Sequence, residues 1–127
     1  MQKTGFGIVI KVKNLTVCKA FYRDILDLGN PVLDSSFQVE FQKGNSFSLL
    51  LEKQVWDQPT SSSRISWLFY EGDLEMIRKK MHVYGYPNPD GILTADYDKG
   101  TVLCRFSDPE GNSFYVPVLN NNQKRRR

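Results

Sequence analysis

One histidine and two cysteines are all that this 127-residue chain offers of the side chains that soft and borderline metals prefer. Cys18 and Cys104 are too few and too far apart in sequence for a zinc ribbon or a disulfide scaffold, so both are expected as buried free thiols. Long apolar runs are missing too. None approaches the ~20 residues of a membrane-spanning helix, and the sequence does not open on a basic segment followed by an apolar one and a small-residue cleavage site. A cytoplasmic protein with no membrane partner is expected. Charge of one sign is missing from the body. The net charge is +3, yet four of the 17 Lys and Arg are the last four residues, Lys124 to Arg127, which leaves 13 against 14 Asp and Glu and a body near −1. With the basic groups confined to a tail over 120–127 that reads as disordered, no nucleic-acid partner is expected.

What is present is a pattern stated twice. Hydrophobic residues make up 40% of the chain, enough for one domain that buries roughly 67% of its unfolded surface. Gly44-Asn45-Ser46-Phe47 and Gly111-Asn112-Ser113-Phe114 spell the same four residues, each between two apolar-alternating runs. Gly-Asn tolerates positive φ in tight turns, so each copy reads as a hairpin. Upstream of the first, Gly7 to Val12 alternates as a strand. Asn14 can cap a helix in which Leu15, Cys18, Phe21, Tyr22 and Ile25 recur at helical spacing through Leu28. Short strands near Val32, over Phe37 to Gln42 and over Phe47 to Lys53 complete β-α-β-β-β. The polar, Pro- and Ser-rich residues 54–64 read as a linker. Beyond it Ile65, Trp67 and Phe69 alternate, Asp73 can cap a helix carrying Leu74, Ile77, Met81 and Tyr84, and strands follow over 92–97, 101–107 and 113–118. The expected architecture is α+β: two βαβββ modules, about 5–53 and 65–119, with pseudo-twofold symmetry.

Strand parity sorts the faces. Phe47, Leu49 and Leu51 share one face, as do Phe114, Val116 and Val118, while Ser48, Leu50 and Glu52, and Ser113, Tyr115 and Pro117, share the others. One face of each sheet is greasy and suited to a helix. The other is mixed, and two such faces are expected to form a cupped mixed sheet around a central cavity.

The segment from Val12-Lys13-Asn14-Leu15 to Phe21-Tyr22-Arg23-Asp24-Ile25-Leu26-Asp27-Leu28 resembles the V-x-D-L…F-Y-x-x-x-L-G-L opening of the vicinal oxygen chelate superfamily, the glyoxalase and bleomycin-resistance proteins. Asp108-Pro109-Glu110-Gly111-Asn112 resembles its D-P-x-G-N hairpin, and the resemblance spans 5–119. Asn14 replaces the usual Asp, and Asp27 the usual Gly. The resemblance implies a divalent metal held between the modules by ligands that map onto Gly7 and Ser48 in the first and Ser66 and Tyr115 in the second. None of the four is a His or carboxylate, and divalent ions need several such donors. No metal and no cofactor are therefore expected. The lone His82 falls late in the second helix, off its apolar stripe, and reads as an exposed helix-end residue.

The candidate ligand-binding residues are Ser48, Glu52, Ser66, Tyr70 and Tyr115 on the outer strands, with Lys11 and Ser113, and Glu40 and Arg105 on the third strand of each module. Glu40 and Arg105 each precede the last aromatic residue of their strand and so read as counterparts. Tyr115 offers a ring face and one hydroxyl, which suits an organic ligand better than a metal. Trp56 and Tyr70 add aromatic surface near the linker. The expected function is metal-independent binding of a small organic ligand, a drug or metabolite, by a homodimer. The rivals are a lyase or isomerase that uses Glu52 or Tyr115 as general base or acid, and a regulatory or interaction module with a vestigial cavity.

Overall fold

Asn14 begins the fold's first helix as its composition requires: its side-chain oxygen accepts the backbone N–H of Val17 at 3.0 Å, satisfying one of the donors a helix start leaves unpaired. In the computed structural model the described residues are 5–44, 46–54, 66–70, 72–87, 92–94 and 102–118. Trp56, Ile65, nearly all of the expected linker, the end of the expected strand at 95–97 and the basic tail lie outside them. The chain divides into two compact units, Met1–Ser62 and Ser63–Arg127.

The first unit runs β1 (Phe6–Val12), α1 (Leu15–Ala20), β2 (Leu33–Asp34), β3 (Gln38–Lys43) and β4 (Phe47–Lys53). Its sheet has the order β1-β4-β3-β2, with β1 and β4 parallel and the other pairs antiparallel. The second unit repeats this: β5 (Trp67–Leu68), α2 (Leu74–Val83), β6 (Ile92–Thr94), β7 (Val102–Ser107) and β8 (Ser113–Val118), in the order β5-β8-β7-β6. Both are βαβββ, as the duplicated hairpin implied. Gly44 and Gly111, which open and close the two hairpin turns, have φ of 62° and 86°, the left-handed region where glycine carries no Cβ penalty.

The greasy faces become the cores. In the first unit Ile10, Val12, Val39, Phe41, Leu49 and Leu51 are buried on one side of the sheet, and the helix buries Leu15, Cys18, Phe21, Tyr22 and Ile25. Each such side chain is worth roughly 1.5–3 kcal/mol on leaving water. The helix does not stay α. Phe21–Ile25 widens into a π turn, closed by Leu26 N–H on Phe21 O and Leu28 N–H on Tyr22 O at 3.3 and 3.2 Å. This puts Leu26 in the core beside Phe21, Tyr22 and Ile25; helical spacing marked the last three, whereas the widening itself is a packing outcome it did not foretell. In the second unit Trp67, Phe114 and Phe106 stack in sequence at centroid distances of 5.2 and 5.5 Å, and Ile77 and Met81 of α2 are buried. Tyr84, expected on the α2 stripe, instead stands 55% exposed at the C-cap, where the helix ends. Cys18 and Cys104 are buried thiols outside any disulfide, as expected, and His82 is exposed.

Candidate ligand-binding site

Cross-strand register orders the mixed face of the first unit into rows. Gly7, Ser48 and Gln42 form the first, Val9, Leu50, Glu40 and Leu33 the second, Lys11, Glu52 and Gln38 the third. Residues opposite one another on neighbouring strands share a face, so every member of a row points away from α1. A cavity of about 340 Å³ lies over the first two rows, lined by Gly7, Val9, Glu40, Phe47, Ser48 and Leu50 among others. Gly7 gives it room: a Cβ there would come within 3.2 Å of the Ser48 carbonyl oxygen. Val9 is 58% exposed and Phe6, at the cavity's rim, 86%. Large apolar side chains left in water around a concavity mark a surface that gains from being covered.

Of the sequence-derived candidates, Ser48 and Glu40 meet in this cavity. Glu52 does not line it. It sits one row farther on, where Gln38 Nε2 donates to its Oε2 at 3.3 Å. Val9 was missed, although it has the same parity as Lys11, which was named; its apolar character disguised it as core.

In the second unit Arg105 and Tyr115 are direct cross-strand partners, both half-buried, and Leu68 lies opposite Tyr115 on its other side. Ser113 faces Ser107 one row away. Ser66 precedes β5 and is exposed, and Tyr70 follows it at a turn, 70% exposed. Two correspondences inferred from the sequence need correction. Phe6 faces Phe47 as Trp67 faces Phe114, so the counterpart of Gly7 is Leu68, not Ser66. Counting back from the same phenylalanines, the counterpart of Arg105 is Gln42, not Glu40, because Lys43 faces Phe47 whereas Phe106 faces Phe114. The second hairpin is four residues longer than the first. That even difference preserves parity and hides the shift.

The turn that takes up those residues is Asp108 to Asn112. Asp108 is only 4% exposed; its Oδ1 accepts the backbone N–H groups of Glu110 and Asn112, both at 2.9 Å, and Asn112 Nδ2 donates to its Oδ2 at 2.9 Å. The carboxylate is thus a structural acceptor that fixes the start of β8, and with it Tyr115.

The metal that the resemblance implies does not fit these positions. Gly7 supplies no donor, Ser48 a neutral hydroxyl, and the residue beside Tyr115 is a leucine. Among the described residues no three His, Cys, Asp or Glu side chains gather into a ligating group.

No family model and no curated protein matches the chain. Solved structures do. Lactoylglutathione lyase from Agrobacterium tumefaciens is 22% identical with a TM-score of 0.66, over 88% of this chain and 90% of its own. An integron cassette protein from the mobile metagenome of the Halifax Harbour sewage outfall is 23% identical with a TM-score of 0.67, over 93% of this chain and 100% of its own. A glyoxalase/bleomycin resistance protein from Catenulispora acidiphila is 15% identical with a TM-score of 0.65, over 92% and 99%. With both βαβββ units in the same strand order and likeness of this extent, the chain has the glyoxalase/bleomycin-resistance fold, the fold of the vicinal oxygen chelate superfamily.

Proposed function

We propose that this protein binds a small organic ligand on the mixed face of its first unit, with no metal at the positions the fold's enzymes use. One observation carries the reading: a cavity of about 340 Å³ lies over Gly7 and Ser48, and its lining supplies apolar surface, the two serines Ser46 and Ser48 and one carboxylate, Glu40, where a metal needs imidazoles and carboxylates. On the second unit, the Tyr115–Arg105 pair offers a ring face and a guanidinium to the same class of ligand. Glu52, with Tyr115 one of the two acid–base candidates, lies outside the cavity, which argues against a lyase or isomerase reading based on it.

A thermal-shift screen of small organic molecules tests this. A ligand at 100 times its Kd stabilises the folded state by about 2.7 kcal/mol, a readily measured shift. Val9→Arg places a charged side chain at an exposed site on the cavity wall, so the fold should survive and the shift should disappear. Hits that stabilise Val9→Arg as well as the parent would place binding elsewhere.

A further inference from the structure

We propose that the ligand of the mixed-face cavity is a short extended peptide, or a small molecule with a peptide-like backbone, which adds itself as a strand to the open edge of β1. The inference rests on the cavity reading above and names the chemistry of its ligand. The cavity is lined by the consecutive residues Gly5 to Val9. Neighbours of both parities on one strand mean that it follows the strand's edge as well as one face of the sheet.

The backbone shows what that edge offers. β1 ends its sheet, with β4 as its one strand neighbour among the described residues. Phe6 N–H donates to Ser46 O at 2.8 Å, and Val12 O accepts Gln54 N–H at 2.8 Å. Alternate residues of a strand in a parallel ladder bond to the same neighbour, so Phe6, Ile8, Ile10 and Val12 direct their N–H and C=O groups to β4. Gly7, Val9 and Lys11 direct theirs outward, and all three are exposed. Folded proteins guard such an edge with proline, a bulge, charge or shortness. The opposite edge strand, β2, is 2 residues long. β1 has 7 residues, no proline, and an unbroken register from Phe6 opposite Phe47 to Val12 opposite Lys53. Its one charged residue, Lys11, stands at the end away from the cavity. The unguarded half of the edge is the half that lines the cavity.

Outward backbone groups beside a cavity match a ligand that brings both backbone groups and side chains. In antiparallel pairing, a ligand residue opposite Val9 and another opposite Gly7 each exchange both an N–H and a C=O bond with β1. Their side chains fall on the mixed face, over Gly7 and Ser48 and against Val9 and Leu50. Gly7 has no side chain to meet its partner, an opening that an aromatic cross-strand neighbour fills. Because the ligand runs against β1, the aliphatic residue opposite Val9 comes first and the aromatic residue opposite Gly7 stands two positions later. A second copy of β1 fits less well. Antiparallel pairing centred on Val9 sets Lys11 of the partner subunit opposite Gly7, a charge against the Val9 and Leu50 wall.

Two-dimensional ¹H–¹⁵N NMR titration of the full chain with the capped peptide acetyl-Val-Thr-Phe-amide tests the proposal. The expected result is saturable shifts centred on Gly7 and Val9. N-methylation of the probe's Val or Phe nitrogen should weaken binding about twofold to tenfold, the range of one lost hydrogen bond. N-methylation of its Thr nitrogen, which faces away from β1, should leave the affinity unchanged. Val9→Pro removes an outward donor and no bond to β4, a change that edge strands tolerate, and should abolish the response while the rest of the spectrum stays that of the folded parent. No saturable response to the probe, or a methylation scan without that alternation, would overturn the proposal. The cavity reading stands in that event if organic hits still shift Gly7 and Val9, and falls with it otherwise. Gly7 and Val9 amides that a dimer protects from hydrogen exchange before any peptide is added would give the edge to a second copy and overturn the proposal as well.

Discussion

Replacing Asp108 by alanine probes how a single buried carboxylate builds the longer hairpin. The substitution strands the N–H of Asn112, the N–H of Glu110 and the Asn112 side chain, all held at 2.9 Å in the parent. A hydrogen bond to a charged group is worth about 1.5–3 kcal/mol. Glu110 is exposed and its N–H can turn to water, whereas Asn112 is half-buried. Counting the Asn112 N–H in full, and the Glu110 N–H and the Asn112 side-chain amide, which can turn to water, lightly gives a cost of about 2–3 kcal/mol. At roughly 3–4 °C per kcal/mol for a chain of this size, Tm should fall by about 6–12 °C. Asp108→Asn keeps the Oδ1 acceptor for both backbone groups and loses only the Oδ2 contact, so it should cost about 1 kcal/mol. Urea unfolding followed by far-UV circular dichroism measures both. An alanine variant within about 0.5 kcal/mol of the parent, the level of an ordinary surface change, would refute the role assigned to this carboxylate. So would an asparagine variant as costly as alanine.

Further outcomes follow from individual residues. Asp27, just past the π turn, is the one described non-glycine residue at positive φ, 58°; Asp27→Gly relieves that conformation and should stabilise the protein by up to about 1 kcal/mol in the same urea assay. Gly72→Ala should destabilise by about 1–3 kcal/mol, because a Cβ there would stand 2.9 Å from the Phe69 ring and 3.2 Å from Val116 Cγ1. The assembly proposed for the protein is a homodimer that covers exposed strand edges, so light scattering should give twice the 14.7 kDa chain mass at micromolar concentration, and a monomer mass would remove that proposal.

Much of the fold was legible because strand parity and helix spacing are local. Leu49, Leu51, Phe114 and Val116 were read as core from alternation alone, and all are buried. Leu15, Cys18, Phe21, Tyr22 and Ile25 were read from one helix face, and all are buried too. What stayed hidden depends on pairing between distant segments. The partners of Tyr115 are Leu68 and Arg105, and neither follows from composition, since the length of a hairpin loop sets the register and aromatic landmarks slide with it. The π turn was hidden for a related reason: local spacing suits an α-helix, and the widening answers to core packing. In the candidate site, Ser48 and Glu40 were legible as mixed-face polar residues, but Val9 was not, because an apolar residue on a polar face looks like core until its exposure is known.

The central claim is that an organic ligand, with no metal, occupies the cavity over Gly7 and Ser48. A ¹H–¹⁵N NMR screen of small organic molecules, run with and without excess EDTA, tests it most directly. The account predicts hits whose shifts concentrate on Gly7, Val9, Glu40, Ser48 and Leu50, with the same affinity in both conditions. Hits that shift other regions, or whose binding EDTA abolishes, would contradict it.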